Sequence, residues 1–306
     1  MRMCFQKKYF TIILTKMKPT YQNQIEKTTQ IVFILFLIFC FSLANAQKPK
    51  GKLFIIGGGN RSDQLMQHVV DLAQFKKTDY VVVLPMSSEE PDSAYIYFKD
   101  QFQKLVPNKI VMLNFDKNTV QNPKLNDSLQ KAKLIFISGG DQTRFMNVVI
   151  NTPVYSSIHK AFQNGSIIAG TSAGAAVMSE NMITGNQKLE KEYSGTFESI
   201  RYDNLETTPG LGLVTNAIID QHFLVRSRFN RLISAMVEFP NLTGIGIDES
   251  TAIIVDGNNV KVVGESEVVV MKKPIGIQKY PSKKLISLES MQMSMYVAGQ
   301  QFSIQN

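Results

Sequence analysis

SIIAGTSAGAA, residues 166–176, is the stretch of sequence that decides the fold. Ser166 to Ala169 indicate a buried strand, and the small residues after Ser172 indicate the first turns of a helix. Ser172 would then lie on a sharp turn that exposes its hydroxyl, and Gly170 and Gly174 allow the backbone to bend this tightly. Unpaired N–H groups of the helix N-terminus would lie beside that hydroxyl. The stretch therefore predicts a serine nucleophile, although a glycine-rich turn that only packs a helix on a sheet has the same pattern.

Four apolar runs precede this stretch and alternate with helical patterns. They occupy residues 52–56, 80–85, 109–113 and 134–137. Unbroken hydrophobicity is typical of strands buried on both faces, and strand–helix alternation predicts an α/β fold with a doubly wound, mostly parallel sheet. Ligands bind beyond the carboxyl ends of such strands. We therefore expect the turns at Gly57, Gly139 and Ser172, which follow three of the strands, to meet at one site.

The C-terminal third has a different pattern. Short, partly alternating apolar runs lie at 244–247, 251–255, 260–263 and 268–270, and a closing hairpin is indicated around Gly299. Such runs are typical of antiparallel strands, which we expect at one edge of the sheet. No repeat, low-complexity tract or Pro/Ser-rich linker divides residues 47–306, so we expect a single domain there.

Residues 1–46 have the pattern of a signal peptide with a long n-region. An apolar run at 31–43 follows several basic residues, and Ala44-Asn45-Ala46 matches an A-x-A cleavage site. The run is shorter than the roughly 20 residues that a membrane-spanning helix needs. An uncleaved anchor is the main alternative, and translation from Met17 rather than Met1 would shorten the n-region. We expect cleavage near Ala46 and export to the periplasm or the cell exterior.

Cysteine content and charge exclude several function classes. Both cysteines, Cys4 and Cys40, lie in the predicted signal peptide, so residues 47–306 have no disulfide, cysteine metal site or cysteine nucleophile. Six of the 33 basic residues but only one of the 25 acidic residues lie in residues 1–46, which leaves a net charge of +3 for the rest. No long basic run remains there, so nucleic-acid binding has little support. We expect neither a metal nor another cofactor.

Three histidines are available as a base for the predicted nucleophile: His68, His159 and His222. His68 and His159 lie in patterns of surface helices. His222 follows the apolar run Ile218-Ile219-Asp220-Gln221 and therefore lies at the carboxyl end of a strand. A serine nucleophile needs such a base together with a third group that orients it. His222 is the histidine that the sequence places best, although a structural role is the alternative.

Two carboxylates are candidates for the third group, since Asp248 and Glu249 directly follow the strand-like run 244–247. Adjacent strand residues point to opposite faces, so at most one of the two should reach the histidine. Sequence alone leaves open which one. Gly139 and Gly140 end the strand before the nucleophile strand, and glycine amides there, together with the N–H of Ala173, would be placed to form an oxyanion hole. A simple turn before the next helix is the alternative interpretation of these glycines.

Three arginines, Arg226, Arg228 and Arg231, follow His222 in a helical pattern over residues 225–239. The buried stripe of this helix is predicted to consist of Phe229, Leu232, Ile233 and Met236. Arg228 and Arg231 are three residues apart and are expected together on the opposite face. Arginines beside a catalytic turn suit bidentate binding of carboxylates, and a solvated basic face is the alternative.

Five motifs together resemble the cyanophycinases and the related aspartyl dipeptidases (peptidase E). They are Gly170-Thr171-Ser172-Ala173-Gly174-Ala175, Ser138-Gly139-Gly140-Asp141-Gln142, Asp220-Gln221-His222-Phe223, Arg226-x-Arg228-x-x-Arg231-Leu232 and Gly244-x-Gly246-Ile247-Asp248-Glu249. The chain order Ser, His, Glu fits this family and not the α/β-hydrolases, which place the acid before the histidine. The similarity covers most of residues 52–306 and is greatest to the cyanophycinases.

The resemblance implies a flavodoxin-like fold similar to class I glutamine amidotransferases, and a serine peptidase activity. It implies Ser172 as nucleophile, His222 as base and Glu249 as orienting acid, with Asp248 as the alternative. Gly140 and Ala173 would supply oxyanion amides. The substrate pocket implied by the resemblance consists of Gln142, Asp220, Gln221, Arg226, Arg228 and Arg231.

The substrate implied by the resemblance is cyanophycin or a related β-aspartyl peptide, cut exolytically to dipeptides such as β-Asp-Arg. Alternatives are an α-aspartyl dipeptidase or other acidic-peptide peptidase of the same family, and a non-catalytic periplasmic peptide-binding protein. The resembling enzymes are commonly dimers, so a homodimer is expected. Ser227 and Asn230 replace glycines usual in the family, and residues 188–209 have no clear family pattern. These departures leave the exact substrate open.

Overall fold

A computed structural model describes residues 27–33, 48–190 and 192–304. Residues 27–33 are helical and exposed, and they belong to the unit Met1–Lys48; the remainder forms a second unit, Pro49–Asn306. The predicted cleavage site at Ala46 and residues 34–43 of the apolar run lie outside the described residues, so the signal peptide stays a prediction. None of the helices in the described ranges has the length and apolar character needed to cross a membrane.

The parallel part of the main sheet consists of the five apolar runs predicted as strands. They form β1 (Lys52–Ile56), β2 (Tyr80–Leu84), β3 (Lys109–Met112), β4 (Leu134–Ile137) and β5 (Ile167–Thr171). Their spatial order is β3-β2-β4-β5-β1, and every neighbouring pair is parallel. Except for edge strand β3, they are buried over nearly their whole length, as their unbroken hydrophobicity predicts.

Helices cover both faces of this sheet. They are α1 (Asp63–Ala73), α2 (Pro91–Phe102), α3 (Pro123–Gln130), α4 (Gln142–Val149), α5 (Pro153–Asn164) and α6 (Ala173–Ala176). Phe54 and Ile56 of β1 share a core with α1 and α2, whereas Leu53 and Ile55 share a core with α3 to α6. Because neighbouring strand residues face opposite ways, one strand serves both cores, which is the doubly wound arrangement.

Local sequence signals set the ends of these helices. Asn122 and Asp141 accept hydrogen bonds from the first-turn N–H groups of α3 and α4, which have no partner within the helix. Proline stands at the start of α2, α3 and α5, where its missing N–H costs nothing. Helix α5 ends at Gly165, whose φ of 109° suits glycine. The helix boundaries therefore follow from chemistry visible in the sequence.

The second half of the chain adds mostly antiparallel strands and one helix. They are β6 (Asn181–Gln187), β7 (Leu205–Pro209), β8 (Ala217–Gln221), α7 (Phe229–Glu238), β9 (Thr243–Ile247), β10 (Thr251–Asp256), β11 (Asn259–Gly264), β12 (Val268–Ile275), β13 (Gln278–Tyr280), β14 (Leu285–Ser287), β15 (Ser290–Tyr296) and β16 (Gln301–Ser303). β10, β11 and β16 extend the main sheet beyond β1. A second sheet has the order β15-β12-β9-β8, in which β8 and β9 are parallel. β6–β7 and β13–β14 are two-stranded.

The C-terminal strands differ from the prediction in two ways. They are divided between two sheets instead of being collected at one edge. The hairpin predicted around Gly299 is wrong in its pairing, because β15 pairs with β12 and β16 pairs with β11. Gly299, at φ 90°, turns the chain from one sheet to the other, and the rings of Tyr296 and Phe302 stack 4.7 Å apart across that turn. Each of the two strands therefore forms the outer edge of its sheet, where it pairs with an apolar strand, β12 or β11.

Candidate active site

The turn around Ser172 has the geometry that its glycines predict. Ser172 follows β5 and precedes α6, with φ 54° and ψ −110°, a conformation that a non-glycine residue seldom adopts. A Cβ on Gly170 would lie 2.2 Å from the carbonyl oxygen of Gly174, and a Cβ on Gly174 would lie 2.3 Å from that of Ile137. Both positions therefore require glycine for the chain to turn this sharply above β4 and β5.

Three side chains from distant segments form one hydrogen-bonded chain. Ser172 Oγ lies 2.7 Å from His222 Nε2, and His222 Nδ1 lies 2.6 Å from Glu249 Oε1. His222 follows β8, and Glu249 follows β9. With Nδ1–H donating to the carboxylate, Nε2 is free to accept the proton of the serine hydroxyl. The arrangement can therefore activate a hydroxyl for attack on a carbonyl carbon.

The surroundings of His222 favour its neutral imidazole. Burial lowers the pKa of His222, and the positive charges of Arg226 and Arg228 lower it further, while the hydrogen bond and charge of Glu249 act in the opposite direction. The neutral imidazole is the form that accepts a proton. A carboxylate at the distance of Glu249 is placed to stabilise an imidazolium formed by proton transfer.

Asp248 lies beside Glu249 in sequence but holds a different part of the site. Its Oδ1 accepts hydrogen bonds from the backbone N–H groups of Leu224 and Val225 at 2.9 and 3.1 Å, and its Oδ2 accepts one from Ser266 Oγ at 2.8 Å. The two carboxylates diverge, as strand alternation predicts. Asp248 thus anchors the backbone that follows His222, and Glu249 contacts the imidazole.

The backbone amides of Gly140 and Ala173 flank the serine. A Cβ on Gly139 would lie 3.5 Å from Ser172 Cβ, so the turn after β4 runs beside the serine, and Ala173 begins α6. Gly140 has φ 133°, and a Cβ there would lie 2.2 Å from the carbonyl oxygen of Ser87. Neither of the two N–H groups donates a hydrogen bond to the described part of the chain. Both are therefore available to an oxygen bound beside Ser172.

The structure corrects the expected position of Arg228 and Arg231. Both side chains are only 2% exposed, not on a solvated face. Arg231 donates two hydrogen bonds to the carboxylate of Asp220, and Arg228 donates to the backbone and side-chain oxygens of Gln221. Arg228 Nη1 also lies 3.8 Å from Asp220 Oδ1. One buried carboxylate thus serves two guanidinium groups, and the cluster keeps a net positive charge.

The arginines are buried because the segment 192–204 packs over the end of the helix that carries them. Helix α7 begins at Phe229, later than the predicted residue 225, and packs on the second sheet with Leu232 and Met236. Phe197 packs into the same core and brings its segment over the arginine end of the helix. Arg228 Nε donates to the carbonyl oxygen of Gly195 at 3.3 Å. Helix α7 is therefore covered on two sides, by the second sheet and by the segment 192–204, whereas its sequence pattern predicts one buried side.

The segment that covers the arginines lies within residues 188–209, where the sequence has no clear family pattern and predicts no pocket residue. Thr196 Oγ1 donates to the carbonyl oxygen of Arg226 at 2.7 Å, and Asn230 Nδ2 donates to that of Phe197 at 2.8 Å. Asn230 stands where the resembling enzymes usually have glycine, and its amide ties down this segment. Ser227 stands at the other such position and has φ 47°, a conformation that glycine adopts without strain. The only sequence signal was the position of the segment between two strands near the site.

The remaining predicted pocket residues are held in different ways. Gln142, at the start of α4, donates through Nε2 to the carbonyl oxygens of Ile183 and Thr184 at 3.0 and 2.6 Å. A Cβ on Gly185 would lie 3.7 Å from Arg231 Nη1 and 3.9 Å from Gln142 Nε2, so strand β6 joins these two side chains. Arg226 is exposed.

Two guanidinium nitrogens in this region are free to meet a ligand. Within the described residues, Arg228 Nη2 and Arg231 Nη1 donate no hydrogen bond, and neither is a fully buried unpartnered atom. No three His, Cys, Asp or Glu side chains among the residues that the structure describes are grouped to hold a metal ion. The site therefore offers a hydroxyl, a base and positively charged donors.

Known proteins with related sequences are peptidases. A sequence model of Peptidase family S51 matches residues 53–263. The cyanophycinase of Trichormus variabilis is 31% identical over 231 residues, which cover 74% of this chain and 74% of that protein. The cyanophycinase of Synechococcus elongatus is 31% identical over 227 residues, 72% of this chain and 68% of its own length. Peptidase E of a Nostoc species is 22% identical over 147 residues, 48% of this chain and 59% of its own length.

Solved structures share the fold. A peptidase from an acI-B1 Actinobacterium aligns with a TM-score of 0.61 at 24% identity, covering 83% of this chain and 97% of that one. A putative peptidase E protein from Listeria monocytogenes aligns with a TM-score of 0.51 at 17% identity, covering 71% and 99%. The α/β fold class predicted from the sequence is confirmed. On the match over residues 53–263 and the 31% identity to cyanophycinases, the chain belongs to peptidase family S51 and is a serine-type peptidase.

Proposed function

We propose that this peptidase cleaves acidic peptides through an acyl-enzyme on Ser172. His222 acts as general base and then general acid, and Glu249 orients it. The observation that carries the assignment is the hydrogen-bonded chain from the Ser172 hydroxyl through His222 to the Glu249 carboxylate. Nucleophile, base and orienting acid in this order of contact are the parts that serine peptidases use.

The chemistry proceeds in two balanced halves. Ser172 Oγ attacks the carbonyl carbon of the scissile bond while its proton passes to His222 Nε2, and the amides of Gly140 and Ala173 bind the oxyanion. The C–N bond then breaks as the imidazolium returns the proton to the leaving amine, which leaves an ester on the serine. A water molecule next gives a proton to His222 and attacks the ester, so that the carboxylic acid leaves and the serine regains its proton.

The charge of the cluster beside the site supports a substrate that carries carboxylates. Arg228 and Arg231 each have a free nitrogen and share one carboxylate, Asp220, and the exposed Arg226 adds a further positive charge. Planar guanidinium groups bind carboxylates in two-point contacts. The names of the cyanophycinase relatives add support for cyanophycin, a poly-aspartate chain with arginine on its side chains, as the polymer that is cut. We propose β-Asp-Arg dipeptides as products.

The test is hydrolysis of cyanophycin by residues 47–306, with mass analysis of the products. The wild-type protein is expected to release β-Asp-Arg, and the Ser172→Ala variant is expected to release none while unfolding at the same temperature. Ser156→Ala, which removes an exposed hydroxyl on α5, is the matched control and should retain the full rate. Wild-type turnover by Ser172→Ala would contradict the assignment of the nucleophile.

Two alternative functions predict different results in hydrolysis and labelling experiments. An α-aspartyl dipeptidase or another acidic-peptide peptidase of the family would hydrolyse Asp-Xaa dipeptides or other acidic peptides faster than cyanophycin in a substrate panel. A non-catalytic binding protein would bind peptide without turnover, and a sulfonyl fluoride would not label Ser172. Labelling of Ser172 would exclude the binding protein, and release of β-Asp-Arg from cyanophycin at a higher rate than hydrolysis of the other peptides would exclude the first alternative.

Export and dimer formation complete the proposal. The apolar run 31–43 and the A-x-A sequence at Ala46 support export with cleavage there. Expression in a Gram-negative host tests this, since the exported protein should begin at Gln47 in N-terminal sequencing. A homodimer rests on the resemblance alone and is tested by sedimentation equilibrium, in which a single monomer mass would contradict it.

A further inference from the structure

The carboxyl end of β1 binds the backbone of all three segments that carry the Ser172–His222–Glu249 chain. The carbonyl oxygen of Ile56 accepts the N–H of Ser172 at 3.1 Å. The carbonyl oxygen of Gly57 accepts the N–H of His222 at 2.8 Å, and that of Gly58 accepts the N–H of Ser250, the neighbour of Glu249, at 2.9 Å. Three consecutive carbonyl groups therefore fix the relative positions of three segments far apart in sequence.

Two glycines of this turn also lie directly against the reacting side chains. A Cβ on Gly58 would lie 2.3 Å from His222 Cε1 and 2.5 Å from Nε2. A Cβ on Gly59 would lie 2.7 Å from both Cβ and Oε2 of Glu249. Atoms at these separations overlap, so a side chain at either position displaces the ring or the carboxylate.

The backbones that this turn holds are themselves in unfavourable conformations. His222 has φ 49° and Ser250 has φ 54°, in the left-handed region that non-glycine residues adopt at a cost. Such conformations persist only where the surroundings determine them. The hydrogen bonds to Gly57 and Gly58 supply that constraint, and Ser250 Oγ adds one more to the carbonyl oxygen of Asn60 at 2.9 Å.

We propose that Gly58 and Gly59 are positioning residues of the active site, which set the imidazole of His222 and the carboxylate of Glu249 at hydrogen-bond distance from each other. The sequence of this turn, Gly57-Gly58-Gly59, matches no nucleotide-binding loop and does not by itself indicate this positioning role. The inference rests on the proposed roles of Ser172, His222 and Glu249. It concerns geometry and not a direct contact with substrate.

Gly59→Ala is the primary test, because Gly59 is exposed at its turn and has a matched control. Gly257 is also exposed and has φ 59° beside the 69° of Gly59, but a Cβ on Gly257 meets no atom within 4 Å. The two alanine variants therefore carry similar strain from a positive φ, and only one of them also disturbs Glu249. Gly59→Ala is expected to lower the melting temperature at least as much as Gly257→Ala does, and a loss of kcat of about 100-fold, the cost of an ångström-scale misplacement, is expected in Gly59→Ala alone.

Gly58→Ala is the second variant and displaces the ring of His222 instead. Its matched control is Gly165→Ala, since Gly165 has φ 109° beside the 120° of Gly58 and the nearest atom to its Cβ, on Lys50, is 3.6 Å away. A loss of kcat of about 100-fold or more is expected with KM changed little, because the ring moves and the arginine cluster does not.

The pH dependence of serine labelling separates positioning from loss of structure. The rate at which phenylmethylsulfonyl fluoride modifies Ser172 needs no knowledge of the substrate and follows the neutral imidazole of His222. Glu249 favours the charged imidazole, and Arg226 and Arg228 disfavour it. When Gly59→Ala moves Glu249 away, the acidic limb of the profile should shift to lower pH, while Gly257→Ala should leave the limb where it is.

The outcomes distinguish this inference from the proposed function. If Ser172→Ala is inactive but Gly58→Ala and Gly59→Ala keep wild-type kcat and an unshifted acidic limb, the positioning role is refuted and the peptidase mechanism stands. If Ser172→Ala keeps full activity, the assignment of the nucleophile fails, and the inference fails with it. A loss of activity in Gly59→Ala that Gly257→Ala reproduces would also refute the positioning role, because backbone strain alone would explain it.

Discussion

The Asp220→Asn substitution tests whether one carboxylate partly neutralises the buried arginine cluster and so stabilises it. Asparagine has nearly the same shape as aspartate and keeps one carbonyl oxygen, so the change removes charge with little change in packing. Arg231 donates two hydrogen bonds to Asp220, and Arg228 Nη1 lies 3.8 Å from it. In the variant, the guanidinium groups of Arg228 and Arg231, whose side chains are each 2% exposed, lose the negative charge of the carboxylate that both contact.

The magnitude follows from this burial. Removing one partner of a buried ion pair costs about 3–5 kcal/mol, because the charge that remains is neither hydrated nor paired. For a chain of this size, each kcal/mol lowers the melting temperature by roughly 2–4 °C, so the expected fall is roughly 10 °C. The matched control is Asp127→Asn, since Asp127 pairs with Lys131 at 2.7 Å in an exposed i,i+4 pair. That change should cost no more than about 0.5 kcal/mol.

Urea unfolding followed by circular dichroism measures both variants. Arg231→Gln and the double variant Asp220→Asn/Arg231→Gln complete a cycle, in which the double loss should be smaller than the sum of the single losses by about 0.5–3 kcal/mol. If Asp220→Asn lowers the free energy of unfolding no more than Asp127→Asn does, then Asp220 does not carry the buried charge balance. A double loss equal to the sum would equally contradict direct coupling between Asp220 and Arg231.

Three further predictions concern the titratable groups. Glu249→Gln should lower kcat/KM by about 10⁴-fold, as loss of the orienting acid does in serine peptidases. Asp248→Asn should reduce it less, because Asp248 binds the backbone after His222 and Ser266 but not the imidazole, and initial rates compare the two variants. Because burial lowers the pKa of His222, the acidic limb of wild-type kcat/KM should have its midpoint below the ordinary value of about 6.5, and a midpoint above that would contradict this. Burial raises the pKa of Glu238, so its contribution to stability falls as pH rises above its ordinary value of about 4.3. Glu238→Gln should therefore raise stability at pH 7 by a few tenths of a kcal/mol and leave it unchanged at pH 4, as measured by urea unfolding.

Most of the fold could be predicted because its signals are local. The unbroken apolar runs of β1, β2, β4 and β5 indicate strands buried on both faces, and proline and capping residues mark the helix ends. The pairing of the last strands could not be predicted, because β15 and β16 have sequences that suit a hairpin. Their partners, β12 and β11, lie in different sheets.

The candidate site likewise has features that could be predicted from the sequence and features that could not. Strand ends and glycine-rich turns placed Ser172 and His222 correctly at one rim, since parallel strands share their carboxyl edge. The burial of Arg228 and Arg231 could not be predicted from the helical pattern. It depends on Phe197, which packs against α7 from a segment that has no periodic signal of its own.

By itself, the sequence determined the fold class and the residue types available for chemistry, because periodicity, glycine and the scarcity of histidine are properties of the chain. Only the tertiary structure decided which carboxylate meets His222, why Gly58 and Gly59 bear no side chain, and where the charge of the arginine cluster is balanced. Each of these depends on atoms that approach within a few ångströms from segments up to 190 residues apart. Such contacts arise when strands from different parts of the chain align their carboxyl ends, and no local pattern encodes the distance between them.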